Sequence, residues 1–168
     1  MKKRLTLIQM DVRVNDVEYN YNRVQELLTQ SLSESPDIIV LPETWNTGFY
    51  PSTDLINIAD NNGARTKALL SAFAKEHNVN IVGGSVAVAK DNLVFNTSYV
   101  YNRNGELVGE YSKMHGFSPA KEDKYFASGT HTTHFELDGI PCSTVICYDI
   151  RFPELVRMAA LPGTELLF

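Results

Sequence analysis

The sequence predicts an α/β layered domain, on three observations. Runs of strand length rich in Val, Ile and Leu alternate with stretches whose apolar residues recur at helical spacing. The chain has 168 residues, 43% of them hydrophobic, which suffices for one domain with a substantial core. No repeat or low-complexity linker divides it. Residues 4–10 read as a first strand. Asn15 and Glu18 resemble a capping pair opening a helix, with Tyr21, Val24, Leu28 and Leu32 along one face. Ser35-Pro36 ends that helix ahead of a β-prone run, Asp37 to Leu41. A second helix is expected over 63–77, its inner face marked by Ala68, Leu69, Ala72 and Phe73. Asn80 to Val88 and Leu93 to Asn102 read as strands joined by a turn around Lys90-Asp91-Asn92. A further strand, Glu106 to Ser112, leaves the turn Asn102 to Gly105. Residues 133–137 and 142–147 form a pair across the Asp138-Gly139 turn signal. The third helix starts near Pro153, where proline suits a first helical turn, and stops near Pro162-Gly163.

Three strands end in chemically able residues. Pro42-Glu43 leaves a carboxylate at the end of the Asp37 to Leu41 run, and Glu106 to Ser112 delivers Lys113. The apolar run Ile140 to Ile146 ends in Cys147, followed by Tyr148-Asp149-Ile150-Arg151-Phe152-Pro153-Glu154. Active sites of layered α/β proteins tend to lie beyond the carboxyl ends of strands, so Glu43, Lys113 and Cys147 form a candidate constellation. A helix opening just after Cys147 would favour thiolate over thiol and offer N–H groups to an oxyanion. Cys142, five residues earlier, faces the other side of the strand and reads as a small core hydrophobe.

Leu41-Pro42-Glu43-Thr44-Trp45-Asn46-Thr47-Gly48-Phe49, Tyr111-Ser112-Lys113-Met114-His115 and Val145-Ile146-Cys147-Tyr148-Asp149-Ile150-Arg151-Phe152-Pro153-Glu154 resemble the three signature segments of the carbon–nitrogen hydrolase (nitrilase) superfamily. They stand in the family's order, and the similarity extends over essentially the whole chain. It implies the nitrilase-type four-layer α-β-β-α sandwich. It also implies hydrolysis of an amide to a carboxylate and ammonia through a cysteine thioester, without a cofactor. Cys147 would be the nucleophile and Glu43 the general base. Lys113 would stabilise the oxyanion together with the N–H of Tyr148. Glu122 matches a second, assisting glutamate, with Asp123 adjacent to it. Phe49, Phe117 and Tyr148 are expected at the substrate pocket, from an aromatic set that also includes Trp45, Tyr50 and Tyr125. The first two segments look closest to the omega-amidase-like branch, which hydrolyses small α-keto dicarboxylate monoamides such as 2-oxoglutaramate. The same residues would also serve a nitrile or N-carbamoyl hydrolase, and an inactive remnant or interaction fragment is the reading from another class. An acidic substrate needs a cationic subsite. Arg151 is a candidate, but it reads better as a clasp on Asp149 or Glu154. The resemblance further implies association as a homodimer or a larger assembly through the helical face near the nucleophile.

Composition narrows the classes. Fifteen basic and 20 acidic residues give a net charge of −5, with no basic patch interleaved with aromatics, so nucleic acid is not an expected partner. Met1-Lys2-Lys3-Arg4 is similar to a signal-peptide start, but Gln9, Asp11 and Arg13 interrupt the apolar stretch behind it, too short for export or membrane spanning. Two cysteines, one needed as a free thiol, argue for a reducing compartment, so a cytoplasmic location is expected. His115, His131 and His134 form no ligand spacing with Cys or carboxylates, so no metal is expected. Val82-Gly83-Gly84-Ser85 lacks the pattern of a phosphate loop, and close backbone packing is its simpler role. Gly163 to Phe168 reads as the start of another buried strand, and members of the family run on further. Residues 1–168 are therefore expected to be the N-terminal, incomplete portion of one carbon–nitrogen hydrolase domain.

Overall fold

The computed structural model describes residues 2–49 and 54–168. In chain order its elements are β1 (Leu5–Leu7), α1 (Val17–Ser31), β2 (Ile38–Val40), α2 (Leu55–Ile58), β3 (Asp60–Asn61) and α3 (Ala64–His77). Next come β4 (Asn80–Val82), β5 (Val86–Lys90), β6 (Leu93–Tyr101) and β7 (Leu107–Ser112). The last are β8 (His134–Leu137), β9 (Ile140–Ser143), α4 (Pro153–Ala160) and β10 (Leu166–Leu167).

The larger sheet has the order β1-β2-β4-β6-β5-β3, with β7 also paired to β6. β1, β2 and β4 run parallel, as expected for strands connected through α1 and α3. β4 and β5 take successive stretches of one edge of β6, Val82 opposite Val100 and Val86 opposite Thr97. The single strand expected over 80–88 is therefore broken at Gly83-Gly84-Ser85, where the chain bends toward Pro42. The smaller sheet has the order β10-β9-β8. Its β8–β9 hairpin turns at Asp138 and Gly139, both at positive φ, as does the β5–β6 hairpin at Asp91 and Asn92. Two consecutive positive-φ residues match the twist of the flanking strands.

Two cores separate four layers. Tyr21, Val24 and Leu28 of α1 and Leu70, Phe73 and Ala74 of α3 pack on Ile39, Ile81 and Tyr99 of the large sheet. Between the sheets, Ile38, Val82 and Val100 meet Phe135, Leu137 and Cys142. Each large aliphatic or aromatic side chain so buried contributes about 1.5–3 kcal/mol. On the outer side of the small sheet, Ser143 Oγ donates to the carbonyl of Ala159 in α4 at 3.1 Å. The α-β-β-α order follows, and Cys142 belongs to its central core.

Two helix details differ from the sequence reading. Asp16 caps α1, its Oδ1 accepting from the Tyr19 N–H at 3.2 Å, while Glu18 turns to Arg65 and Asn15 sits at φ 62°. In α3 the buried face is Thr66, Leu70, Phe73 and Ala74, with Ala68 and Ala72 exposed. Alanines have little apolar surface to lose, so Leu70 and Phe73 set the rotation of the helix.

An ionic cluster joins the two sheets where β2, β7 and β9 begin. Arg103 Nη2 lies 2.9 Å from Asp37 Oδ1, and Arg103 Nε and Nη2 each donate to Asp138 at 2.8 Å. Lys3 Nζ adds a 2.8 Å bond to Asp138.

Candidate functional site

The opposite ends of those three strands carry the candidate residues. β2 stops ahead of Pro42, which has no N–H to continue a ladder. Ser85 braces the loop that follows: its N–H donates to Pro42 O at 3.0 Å, and its Oγ accepts from the Thr44 N–H at 3.0 Å. Gly84, at φ 57°, makes this approach feasible, because a Cβ there would lie 2.0 Å from Pro42 O. The glycine pair thus packs backbone on backbone, beside Glu43.

Lys113 follows β7 and is fixed on both sides. Its N–H donates to Asn96 O at 2.9 Å, and its carbonyl accepts from Gly129 N–H at 2.8 Å. The residue is 3% exposed. Nζ donates to Glu43 Oε1 at 2.9 Å and to Glu122 at 2.9 and 2.7 Å. Burial presses the ammonium pKa down, but the hydrogen bonds and charges of Glu122 and Glu43 outweigh it and hold the group above its usual value. Glu122 also accepts from Phe117 N–H at 2.8 Å, whereas Asp123 is exposed. Of the two adjacent acids, Glu122 joins the cluster.

Asn96 went unnoticed in the sequence. Its Nδ2 donates to Glu43 Oε1 at 3.0 Å and to Glu122 Oε1 at 3.2 Å, bridging the two acids. The available signal was an amide in the middle of the apolar strand Leu93–Tyr101, since buried polar groups need partners.

Beyond β9 the chain runs extended, with Val145 N–H bonded to Phe168 O at 3.0 Å, and Cys147 then opens a 3-10 turn, Cys147–Arg151. Cys147 has φ 49°, a left-handed conformation that costs an L-residue about 1–2 kcal/mol. The residue is exposed, in contrast to Cys142. Desolvation, then the charge and acceptor oxygens of Glu43, push the thiol pKa up, and Lys113 only partly opposes them. This corrects the expectation of a thiolate favoured by a helix end. The α-helix starts only at Pro153, and two carboxylates face a single ammonium. The arrangement can move the thiol proton to Glu43 as an electrophile arrives, with Lys113 supplying positive charge nearby. Glu43 and Cys147 share a cavity of ≈ 130 Å³ with Ser85 and Thr144.

The aromatic candidates divide. Phe117 and Tyr148 are half-buried with ring centroids 5.1 Å apart, next to the cluster. Phe49 is half-buried on the Glu43 loop, and Tyr50 lies outside the described residues. Trp45 is core, 0% exposed, with Nε1 bonded to Gly83 O at 3.0 Å. Tyr125 packs on the satellite core of Leu55, Ala87 and Val94. The clasp expected of Arg151 is absent: Asp149 is buried against Tyr111 and His115, and Arg151 is exposed without an ion pair among the described residues. Among the described residues, no group of three or more His, Cys, Asp or Glu side chains is placed to hold a metal ion.

A four-layer sandwich with a cysteine, a lysine and a glutamate gathered at strand ends, and a second glutamate reaching them from the turn Glu122–Lys124, defines a layered α/β protein built around a thiol–carboxylate–amine centre. The chain belongs to the carbon–nitrogen hydrolase family, whose model matches residues 4–168. A 2-oxoglutaramate amidase from Bacillus subtilis (strain 168) is 39% identical over 168 residues, all of this chain and 64% of that protein. The omega-amidase NIT2 of Mus musculus is 30% identical over 98% of this chain and 61% of its own length. The chain therefore spans somewhat under two thirds of these relatives. A carbon–nitrogen hydrolase superfamily protein from Xanthomonas campestris, solved with an arsenic adduct in its active site, superposes with a TM-score of 0.80 at 30% identity, covering 90% of this chain and 56% of that one. An amidase from Nesterenkonia sp. shares the fold, with a TM-score of 0.85 at 22% identity, covering 98% of this chain and 63% of that one.

Proposed function

We propose that this chain carries the nucleophile and its partners for hydrolysis of a small amide, an omega-amidase reaction on 2-oxoglutaramate or a close analogue. The observation that supports it best is Lys113 Nζ, held between Glu43 and Glu122 while Glu43 also acts on the Cys147 thiol. Cys147 Sγ attacks the amide carbon as Glu43 takes the thiol proton. Lys113 and the Tyr148 N–H then stabilise the oxyanion, a donor of this kind being worth about 2.7–4 kcal/mol. Glu43 hands its proton to the departing ammonia, then takes one from the water that cleaves the thioester. Glu122 and Asn96 hold the Lys113–Glu43 pair in place, and Phe117 and Tyr148 border the substrate, with Phe49 contributing from the Glu43 loop. Arg151, freed from the expected clasp, is the cation nearest in sequence to Cys147 and suits the acidic end of such a substrate. Exposed Ile150, Met158 and Leu161 give the α4 side an apolar surface suited to a homodimer. No helix among the described residues is long and apolar enough to cross a membrane, and a cytoplasmic setting suits the free thiol.

Ammonia release from 2-oxoglutaramate, a simple nitrile and an N-carbamoyl amine tests the reading. Turnover of 2-oxoglutaramate is the expected result. Activity on the nitrile or the carbamoyl compound alone would replace it with the second reaction type. Silence on all three, with Cys147 sluggish toward an electrophile, would leave a non-catalytic fragment.

A further inference from the structure

Asp149 is 0% exposed, and four polar contacts converge on its carboxylate. Oδ2 accepts from the Tyr111 hydroxyl at 2.7 Å and from Ile146 N–H at 3.2 Å. Oδ1 accepts from His115 N–H at 2.9 Å and pairs with His115 Nδ1 at 2.8 Å. Capping the 3-10 turn at Cys147 needs only the bond from Ile146. The others run to Tyr111 and His115, which flank Lys113 two residues away on each side. The His115 ring is also stacked on Phe152, centroids 3.6 Å apart and planes 11° apart, so it is held at one edge by Asp149 and on one face by Phe152. Tyr111 is fully buried, which leaves its hydroxyl little freedom to find water instead.

We propose that Asp149 is a positioning residue that locks the Cys147 turn to the Lys113 segment, so that thiol and ammonium keep one spacing. It touches no reacting atom. The lock holds Cys147 in its left-handed conformation and sets its distance from Glu43, Lys113 and Glu122, the charged groups that face the thiol. The inference rests on the amidase reading for its effect on turnover, but not for its effect on the thiol.

Tyr111→Phe removes one hydroxyl and keeps the ring, while Asp149→Asn sets an amide donor against arriving donors. Both are made in the full chain and checked by circular dichroism and thermal unfolding. The readouts are the pH of half-alkylation of Cys147 by iodoacetamide, and kcat and KM for 2-oxoglutaramate. For Tyr111→Phe, we expect the half-alkylation pH to fall toward that of an ordinary thiol, as Cys147 drifts from Glu43. Its kcat should drop about tenfold with KM within about twofold, and Asp149→Asn should go further the same way. A folded Tyr111→Phe with an unchanged alkylation profile overturns the proposal, whatever its melting temperature. Should Asp149→Asn fail to fold, Tyr111→Phe decides alone. A wild-type chain that releases no ammonia would sink the amidase reading, and the alkylation profile would still decide the lock.

Discussion

Lys113 is bonded to the buried Glu122 and the half-buried Glu43, so its removal leaves two carboxylates facing each other without a cation. Lys113→Ala should cost about 3–5 kcal/mol in urea unfolding, far more than an exposed lysine would. Glu43→Gln acts in another direction. It removes the negative charge that, after burial, does most to raise the thiol pKa, and turns one of the two acceptor oxygens into a donor, so Cys147 should reach half-alkylation at a lower pH. Ammonia release should nonetheless fall by a factor of about 100 or more, because the base has gone. Alkylation and turnover measured on one preparation would expose any other pattern. Glu43, Lys113 and Cys147 were legible in the sequence because each follows directly on a strand-like run. Asn96 was not, since its role depends on which face of β6 is buried, and a pattern of types does not say so. The sequence suggests Asp149 or Glu154 as the partner of Arg151, whereas the side chains that bond Asp149 lie 34 and 38 residues away.

At the scale of elements, the bend between β4 and β5 shapes the Glu43 loop. A methyl group at residue 84 would collide with the backbone carbonyls of Leu41 and Pro42, at a φ that disfavours any side chain. Gly84→Ala should therefore cost about 2 kcal/mol or more and reduce turnover together with stability. Equal melting temperatures for variant and wild type would refute this. The long helices and both two-residue hairpins were legible because period and turn chemistry are local. α2 and β3 were not, being too short to establish a period. The start of the third helix at Pro153 was legible from the proline, whereas the 3-10 turn Cys147–Arg151 ahead of it was not, being tied down by contacts distant in sequence.

At the scale of the molecule, the sandwich order came from the family resemblance, since alternating strands and helices alone do not say how many sheets form. The ionic cluster across the two sheets was invisible, because Asp37, Arg103 and Asp138 are brought together only by folding. Arg103, above all, and Lys3 hold the Asp138 carboxyl well below its usual range, against the opposing effect of burial. A folded pKa below the unfolded one means stabilisation that is complete above about pH 4 and lost as pH falls below it. Asp138→Asn should flatten the acid limb of stability in that window, measured as urea midpoint against pH. An unaltered limb would show the cluster to be idle. β2, β7 and β9 depart from this seam and point toward Glu43, Lys113 and Cys147. Anchorage and reactivity thus occupy opposite tips of the same three spokes. Substitution of Arg103 would read, in a screen for lost turnover, as a defect in the chemistry, although every reacting side chain is still present in the chain.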